Sequence, residues 1–348
     1  MPLVPGPADL LRRYRATGAD LPLGDPRRAH GVAMEGYFWR FTDPVGGRVL
    51  VALIGVNRGP SGPWATLGHA AHPGRHLRVA ARPGAWAAPD GLAAGCGSAF
   101  TGAHDRLEID LAADARVSVR VEDHAPWSRR RWGGSSVFHV VPALNQYWHP
   151  WLLGGRAHGT AVVGGDTWEL DGWDVYGEKN WGRGGFPDTW WWGQAQGFAD
   201  RRACVAFAGG PVHAGPLRAT VTGLVVRLPD GRLLRLGDPV VSPVRARVDE
   251  RSWLLRGRGF GWEVEVEADA EPTAAHVLPV PLPDRGVNTA GALEHLAGRM
   301  EVRVRRRGRT AWRGTSVLAG LERGGLALAD AELRRRGAAP GSVGAPPA

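Results

Sequence analysis

LEIDLAADARVSVRVE, residues 107–122, contains two runs of strict alternation. Leu107, Ile109 and Leu111 alternate with Glu108 and Asp110, and Val117, Val119 and Val121 alternate with Ser118, Arg120 and Glu122. Successive side chains of a strand point to opposite faces, so this period of two makes one face apolar and the other wet. That is the pattern of half-buried antiparallel strands. It returns where Trp262, Val264 and Val266 alternate with Glu263, Glu265 and Glu267, and where Met300, Val302 and Val304 alternate with Glu301, Arg303 and Arg305. Pro229-Asp230-Gly231 reads as the turn of a hairpin joining Leu224–Leu228 to Leu233–Leu236. With 51 Gly and 27 Pro punctuating the chain, long helices have little room. A short helix is predicted after Pro7-Ala8-Asp9, with Leu10, Leu11 and Tyr14 on one face and Gly18 ending it. A second is predicted around Ala329–Arg336, followed by a disordered Pro/Gly/Ala tail over Gly337–Ala348. Many short strands between turns predict an all-β barrel or sandwich. At 348 residues two such units are expected: an extension over 1–29, β units over 30–160 and 161–325, and the helix and tail over 326–348.

Composition narrows the function. Ten of the 16 Trp lie between Trp127 and Trp192, which reads either as a Trp-rich β core or as a ligand-lining wall. Cys96 and Cys204 are too few and too far apart for a disulfide scaffold. The net charge is +9, with short clusters at Arg129–Arg131, Arg305–Arg307 and Arg334–Arg336. No nucleic-acid motif accompanies them, so no nucleic-acid partner is expected. No run of 18 apolar residues is present, and the first thirty residues hold no signal-peptide pattern, so a cytoplasmic placement is expected, with at most peripheral membrane contact. Phosphate-cradling, dinucleotide, nucleophile-elbow and zinc-helix motifs are absent. His69, His72 and His76 have metal-like spacing, but Pro73-Gly74 breaks any helix that would align them, so they read as surface-loop histidines. No metal or cofactor is expected.

The distinctive stretch is YGEKNWGRGGFPDTWWWGQAQGF, residues 176–198. Read as a strand, its first part puts Tyr176, Glu178 and Asn180 on one face and Val175, Gly177, Lys179 and Trp181 on the other. Its second part puts Trp190, Trp192, Gln194 and Gln196 on one face, with a Gly-rich turn over Gly182–Pro187 between the two. Such strands bring a carboxylate, a phenol, amides and two indoles to one cavity. The alternative is a solvated ladder of Glu and Gln, but paired indoles on that face disfavour water. A further alternative has Glu178, Lys179 and Asn180 bracing the turn, and Trp181 reads as core.

This stretch resembles the signature of the tocopherol cyclase family, in which an EK-[ND]-WG turn precedes FP and a Trp-rich strand ending in Gln. Glu35-Gly36-Tyr37-Phe38-Trp39-Arg40 resembles the family's early strand, and Gly314–Glu322 its closing strand, so the resemblance spans roughly residues 30–322. Plant members carry a transit peptide that is not seen here, which suggests a bacterial relative. The resemblance implies two lipocalin-like antiparallel β halves, akin to carotenoid hydratases. It also implies an isomerase that closes a ring on a prenylated phenol, hydroquinone or related terpenoid. Protonating the alkene calls for a carboxylic acid kept neutral by burial. Indole faces would stabilise the resulting cation, and the phenol would need a proton acceptor: an amide, a His or a second carboxylate. Glu178 is the candidate acid, with Tyr176 and Asn180 orienting it. Trp190 and Trp192 form the cation-facing wall, and Gln194, Asp188, Glu35, Tyr37 and Trp39 complete the substrate site. Asp188 and Glu35 are next in line as acids, and His139 and His149 are bases by type only. Other readings are hydration or pericyclic closure of a polyunsaturated lipid, or a non-catalytic carrier. A carrier needs an apolar lining and no buried carboxylic acid.

Overall fold

The computed structural model describes residues 6–128 and 131–342. Arg129 and Arg130 of the first arginine cluster, and residues 343–348 of the expected tail, lie outside the described residues. Strand makes up 59% and helix 9%, in two antiparallel sheets, one of them nearly barrel-shaped. The helices run over Pro7–Arg15 and Leu326–Arg335. Among the described residues no helix is long and apolar enough to cross a membrane.

The first sheet has 12 strands and is built around the pairing of Met34–Asp43 with Asp166–Gly182. The second has 10, built around Trp190–Ala195 paired with Arg309–Gly324. In each, the opening strand pairs with the last, which folds the sheet back on itself and covers apolar faces inside, as in lipocalin-like folds. The alternating runs are strands as predicted: Arg106–Ala112 with Ala115–Glu122, and Trp262–Asp269 with Val287–Arg306. The hairpin at residues 229–231 pairs Leu224–Arg227 with Leu233–Leu236. The expected division at residue 160 falls inside the strand Arg156–Val163, which belongs to the first sheet. The chain changes sheets over residues 183–189, because Asp166–Gly182 continues without a break from the pairing with Arg156–Val163 to that with Met34–Asp43. The two halves of the Trp-rich signature therefore sit in different sheets and meet across the space between them.

Each half has its own core. Trp39, Phe41, Phe100 and Trp151 fill the first, and Phe198, Phe207, Trp253 and Leu255 the second. Each such side chain contributes about 1.5–3 kcal/mol by leaving water. The halves also pack on one another. Val49, Val51 and Ala70 meet Leu278, Ala292 and Leu318 on one side, and Trp148 and Tyr176 meet Trp192 and Val225 on the other. Arg40, fully buried, ties the halves together. Its Nη1 donates to Thr42 Oγ1 (2.9 Å) and Gln194 Oε1 (3.0 Å), and its Nη2 to the carbonyls of Leu296 (2.7 Å) and Leu318 (2.6 Å).

The histidines read as a surface loop are placed differently. His69 is buried on the strand Gly62–His72, and its Nδ1 lies 2.9 Å from His76 Nε2. The strand runs through to His72, so Pro73-Gly74 ends a strand, and His69 is buried on that strand instead of lying on a surface loop. Burial holds His69 down at about 3, so it is neutral. Among the described residues no group of three or more His, Cys, Asp or Glu is placed to hold a metal.

Candidate active site

Between the halves lies a cavity of about 190 Å³ with an aromatic lining that includes Phe38, Trp148, Trp190 and Trp192. Its polar groups are few, and three are carboxyls: Glu178 from the first half, Glu294 and Glu322 from the second. An apolar pocket with a few convergent polar groups is the common form of a small-molecule site.

Glu178 sits where strand parity puts it, on the face with Tyr176 and Asn180, only 6% exposed. Three donors converge on one of its oxygens: Trp148 Nε1 (2.8 Å), Trp192 Nε1 (2.8 Å) and the Tyr176 hydroxyl (2.5 Å) all donate to Oε2. An oxygen accepting three hydrogen bonds has no lone pair for a proton. When neutral, Glu178 therefore carries its proton on Oε1, the oxygen left open to a ligand. Burial pushes this carboxyl above its ordinary range, and the donors from Tyr176, Trp148 and Trp192 pull the other way. The result is an acid that stays protonated more readily than a surface glutamate, yet has a stabilised conjugate base. Burial and the neighbouring Glu178 charge drive the Tyr176 hydroxyl well above its usual value, so it remains a donor. A solvated Glu/Gln ladder is excluded by this burial.

Glu294 and Glu322 are direct cross-strand partners on the strands Val287–Arg306 and Arg309–Gly324. Glu322 Oε1 accepts from Trp190 Nε1. The Trp190 indole lies over Gly324, where any side chain would collide with the ring. Glu294 is 1% exposed, and neither of its oxygens has a hydrogen-bond partner. Burial pushes the Glu322 carboxyl up to about 7, the Trp190 donor opposing and the Glu178 charge adding to the rise. Burial and the Glu322 charge push Glu294 well above its ordinary value, against the pull of Arg40.

The predicted site residues divide. Glu178, Asn180, Trp190 and Trp192 line the cavity, and Tyr176 lies behind Glu178, its hydroxyl on Oε2. Gln194 shares the expected face but lies beneath it, holding Arg40. Asp188 is exposed on the loop between the sheets, away from the lining, because the chain is crossing from one half to the other there. Glu35 and Trp39 point the other way. In the pairing of Met34–Asp43 with Asp166–Gly182, Phe38 stands opposite Glu178 and Gly36 opposite Asn180. Glu35, Tyr37 and Trp39 stand opposite Trp181, Lys179 and Gly177. Tyr37 borders the cavity, but its hydroxyl donates to Glu35 (3.2 Å) on the far face.

That far face is a strap. Lys179 Nζ lies 2.9 Å from Glu35 Oε2 and donates to the Arg28 carbonyl (2.6 Å). Trp181, fully buried as expected, donates to the Gly18 carbonyl (2.7 Å), between the stacked rings of His30 and Tyr147. So of the EKN triplet Lys179 holds the N-terminal segment, and Glu178 also ties its strand to Trp148 and Trp192. His139 and His149 are buried but absent from this cavity's lining. Burial holds His139 down at about 4 and His149 well below its usual value, so both are neutral.

Sequence reasoning missed Trp148, Arg40, Glu294 and Glu322. A signal existed for the last two. Glu294 is flanked at i±2 by Ala292 and Leu296, and Glu322 by Gly320 and Gly324. Each is a lone charge on a face that is otherwise apolar or bare.

The pattern of the tocopherol cyclase-like family matches residues 104–325, a span that holds Trp148, Glu178, Trp190, Trp192, Glu294 and Glu322. Kievitone hydratase from Nectria haematococca is similar in fold, at 11% identity and a TM-score of 0.52, over 85% of this chain and 90% of that one. CghA is similar at 12% identity and a TM-score of 0.53, over 84% of this chain and 88% of that one. At such identities the likeness is one of fold. With the family pattern covering more than half of its length, the chain belongs to the tocopherol cyclase-like family.

Proposed function

We propose that this protein is an isomerase that closes a ring on a hydrophobic, unsaturated molecule bearing a hydroxyl group, such as a prenylated phenol or hydroquinone or a related terpenoid. The observation that carries this reading is Glu178, buried, with three donors on Oε2 and Oε1 open to an aromatic cavity. Its proton passes from Oε1 to the less substituted carbon of a trisubstituted alkene, leaving a tertiary cation. Trp192, bonded to Glu178, and Trp190, bonded to Glu322, both line the cavity, and a desolvated cation over an indole face gains about 2 kcal/mol. The ligand's own hydroxyl oxygen then bonds to the cation and gives up its proton. Atoms and electrons balance with no co-reactant. Two buried carboxyls, Glu178 and Glu294, with half-buried Glu322 beside them, argue against a plain carrier, since an empty apolar site would have no use for their desolvation. Capture of the same cation by water would make the protein a hydratase.

Incubation with a 2-prenyl-1,4-hydroquinone separates these outcomes by product mass. Ring closure leaves the mass unchanged, hydration adds one water, and a carrier returns the probe intact. Recovery of the probe intact from an enzyme that binds it contradicts the proposal.

A further inference from the structure

We infer that Glu294 and Glu322 together form the proton acceptor of this cavity and select for ligands that bring a hydroxyl group to it. The inference rests on the reading of Glu178 as proton donor and supplies its missing partner. Two observations carry it. First, Glu294 has both carboxylate oxygens buried without a hydrogen-bond partner while lining the cavity. Leaving such a group unpaired is costly, and a ligand O–H is the donor that would satisfy it. Second, Glu322 lies directly across from Glu294, and Trp192, the indole that also holds Glu178, lies directly across from Glu322 on the next strand. The pair and Glu178 thus approach one ligand volume from opposite halves.

Two carboxyls opposite one another in a strand pair have Cβ atoms about 5 Å apart. With Glu294 buried and Glu322 half-buried that close to it, the two do not both ionise readily, so the resting pair holds one proton between them. The groups facing Glu294 are Arg40, Glu178 and Glu322, with His276 directly across from it on the strand His276–Leu282. Of these Arg40 is cationic and favours a charge on Glu294. Burial holds His276 down at about 4, so it is neutral.

The step balances as follows. Glu178 loses its Oε1 proton to the alkene carbon, the C–O bond forms, and the O–H bond of the ligand breaks with its proton passing to the pair. Between turnovers the pair returns one proton and Glu178 regains one, so nothing is consumed. The ligand class is a hydroxyl-bearing prenyl compound whose hydroxyl reaches the Glu294–Glu322 side while its alkene lies beside Glu178.

The test uses 2-prenylphenol and its O-methyl ether, with binding read from quenching of tryptophan fluorescence. The wild-type protein should prefer the phenol by at least about tenfold, as expected for a hydrogen bond to a charged group. Glu294→Gln and Glu322→Gln should each lose most of that preference, while Glu178→Gln keeps it. Far-UV circular dichroism confirms that each variant is folded. Infrared spectra of the unliganded wild-type protein give a second readout. At neutral pH they should show a protonated carboxyl stretch that either Gln substitution alters. Equal binding of phenol and ether by the wild type overturns the inference and leaves the role of Glu178 standing. Binding of neither probe removes the underlying reading and the inference with it. Absence of the infrared band at neutral pH overturns the shared proton.

Discussion

Replacing Lys179 by Met should cost the fold about 3–5 kcal/mol and leave the cavity chemistry intact. Lys179 is fully buried, 2.9 Å from Glu35 Oε2, and hydrogen-bonded to the Arg28 carbonyl. Its ammonium also lies 5.2 Å from the Tyr37 ring centroid and 5.3 Å from that of Trp181. Removing one partner of a buried ion pair strands the other charge, at about 3–5 kcal/mol. That is a large share of the about 5–15 kcal/mol that holds a domain together. The pH dependence fixes the cause. Burial pushes the Glu35 carboxyl up, but the adjoining Lys179 charge and hydrogen bond bring it below its ordinary value. A depressed carboxyl gives stability that is present above its unfolded pKa and lost as pH falls through the folded one. Without Lys179 burial dominates, the folded pKa rises above the unfolded one, and the sign reverses. The deficit of Lys179→Met should therefore shrink as pH falls from 7 toward about 4, the ordinary glutamate range. Urea unfolding followed by far-UV circular dichroism at several pH values measures it. Glu35→Gln added to Lys179→Met should recover part of the loss, because the stranded charge is gone. A deficit that grows on acidification, or a double variant no more stable than the single one, refutes this reasoning.

Trp192→Phe removes one N–H donor from Glu178 Oε2. The carboxylate is less stabilised and its pKa rises, so the alkaline limb of the pH–rate profile should move up by about one unit or more; an unmoved or lowered limb contradicts this. Arg40→Met leaves the Leu296 and Leu318 carbonyls without their charged donor between the halves. It should cost about 3 kcal/mol in chemical denaturation, and a loss under about 1 kcal/mol denies Arg40 its tying role. Trp39→Phe changes packing in the first core, where Trp39 meets Phe100 and Trp151. It should lower stability by about 1–3 kcal/mol with no change in affinity for 2-prenylphenol; a weakened affinity would return Trp39 to the ligand wall.

The fold was legible wherever one face of a strand meets water, because charge then marks the other face, as in residues 107–122. The strand Met34–Asp43 offers no such mark. Buried or half-buried throughout, it carries Glu35 and Tyr37 on one face and Arg40 on the other. Parity from sequence could group its side chains but not aim them. In the strand at 176–180 parity separates the faces as read, since Glu178 and Asn180 line the cavity with Tyr176 bonded behind Glu178, while Lys179 and Trp181 do not line it. What stayed hidden is non-local. Glu294 and Glu322 reach the cavity from a second sheet, and reading along the chain cannot bring residue 294 to residue 178. Asp188 was misplaced for a related reason: a loop that changes sheets has no strand parity.

That Glu178 hands its proton to a ligand carbon is tested most directly by turnover of a 2-prenyl-1,4-hydroquinone in deuterium oxide by the wild type and by Glu178→Gln. The wild type should place one deuterium on the ring carbon next to the new C–O carbon. The variant should fold, bind the probe and lose turnover by on the order of a hundredfold or more, because an amide keeps the shape but has no acidic proton to give. A folded Glu178→Gln protein that retains full turnover and the same deuterium incorporation would contradict the assignment.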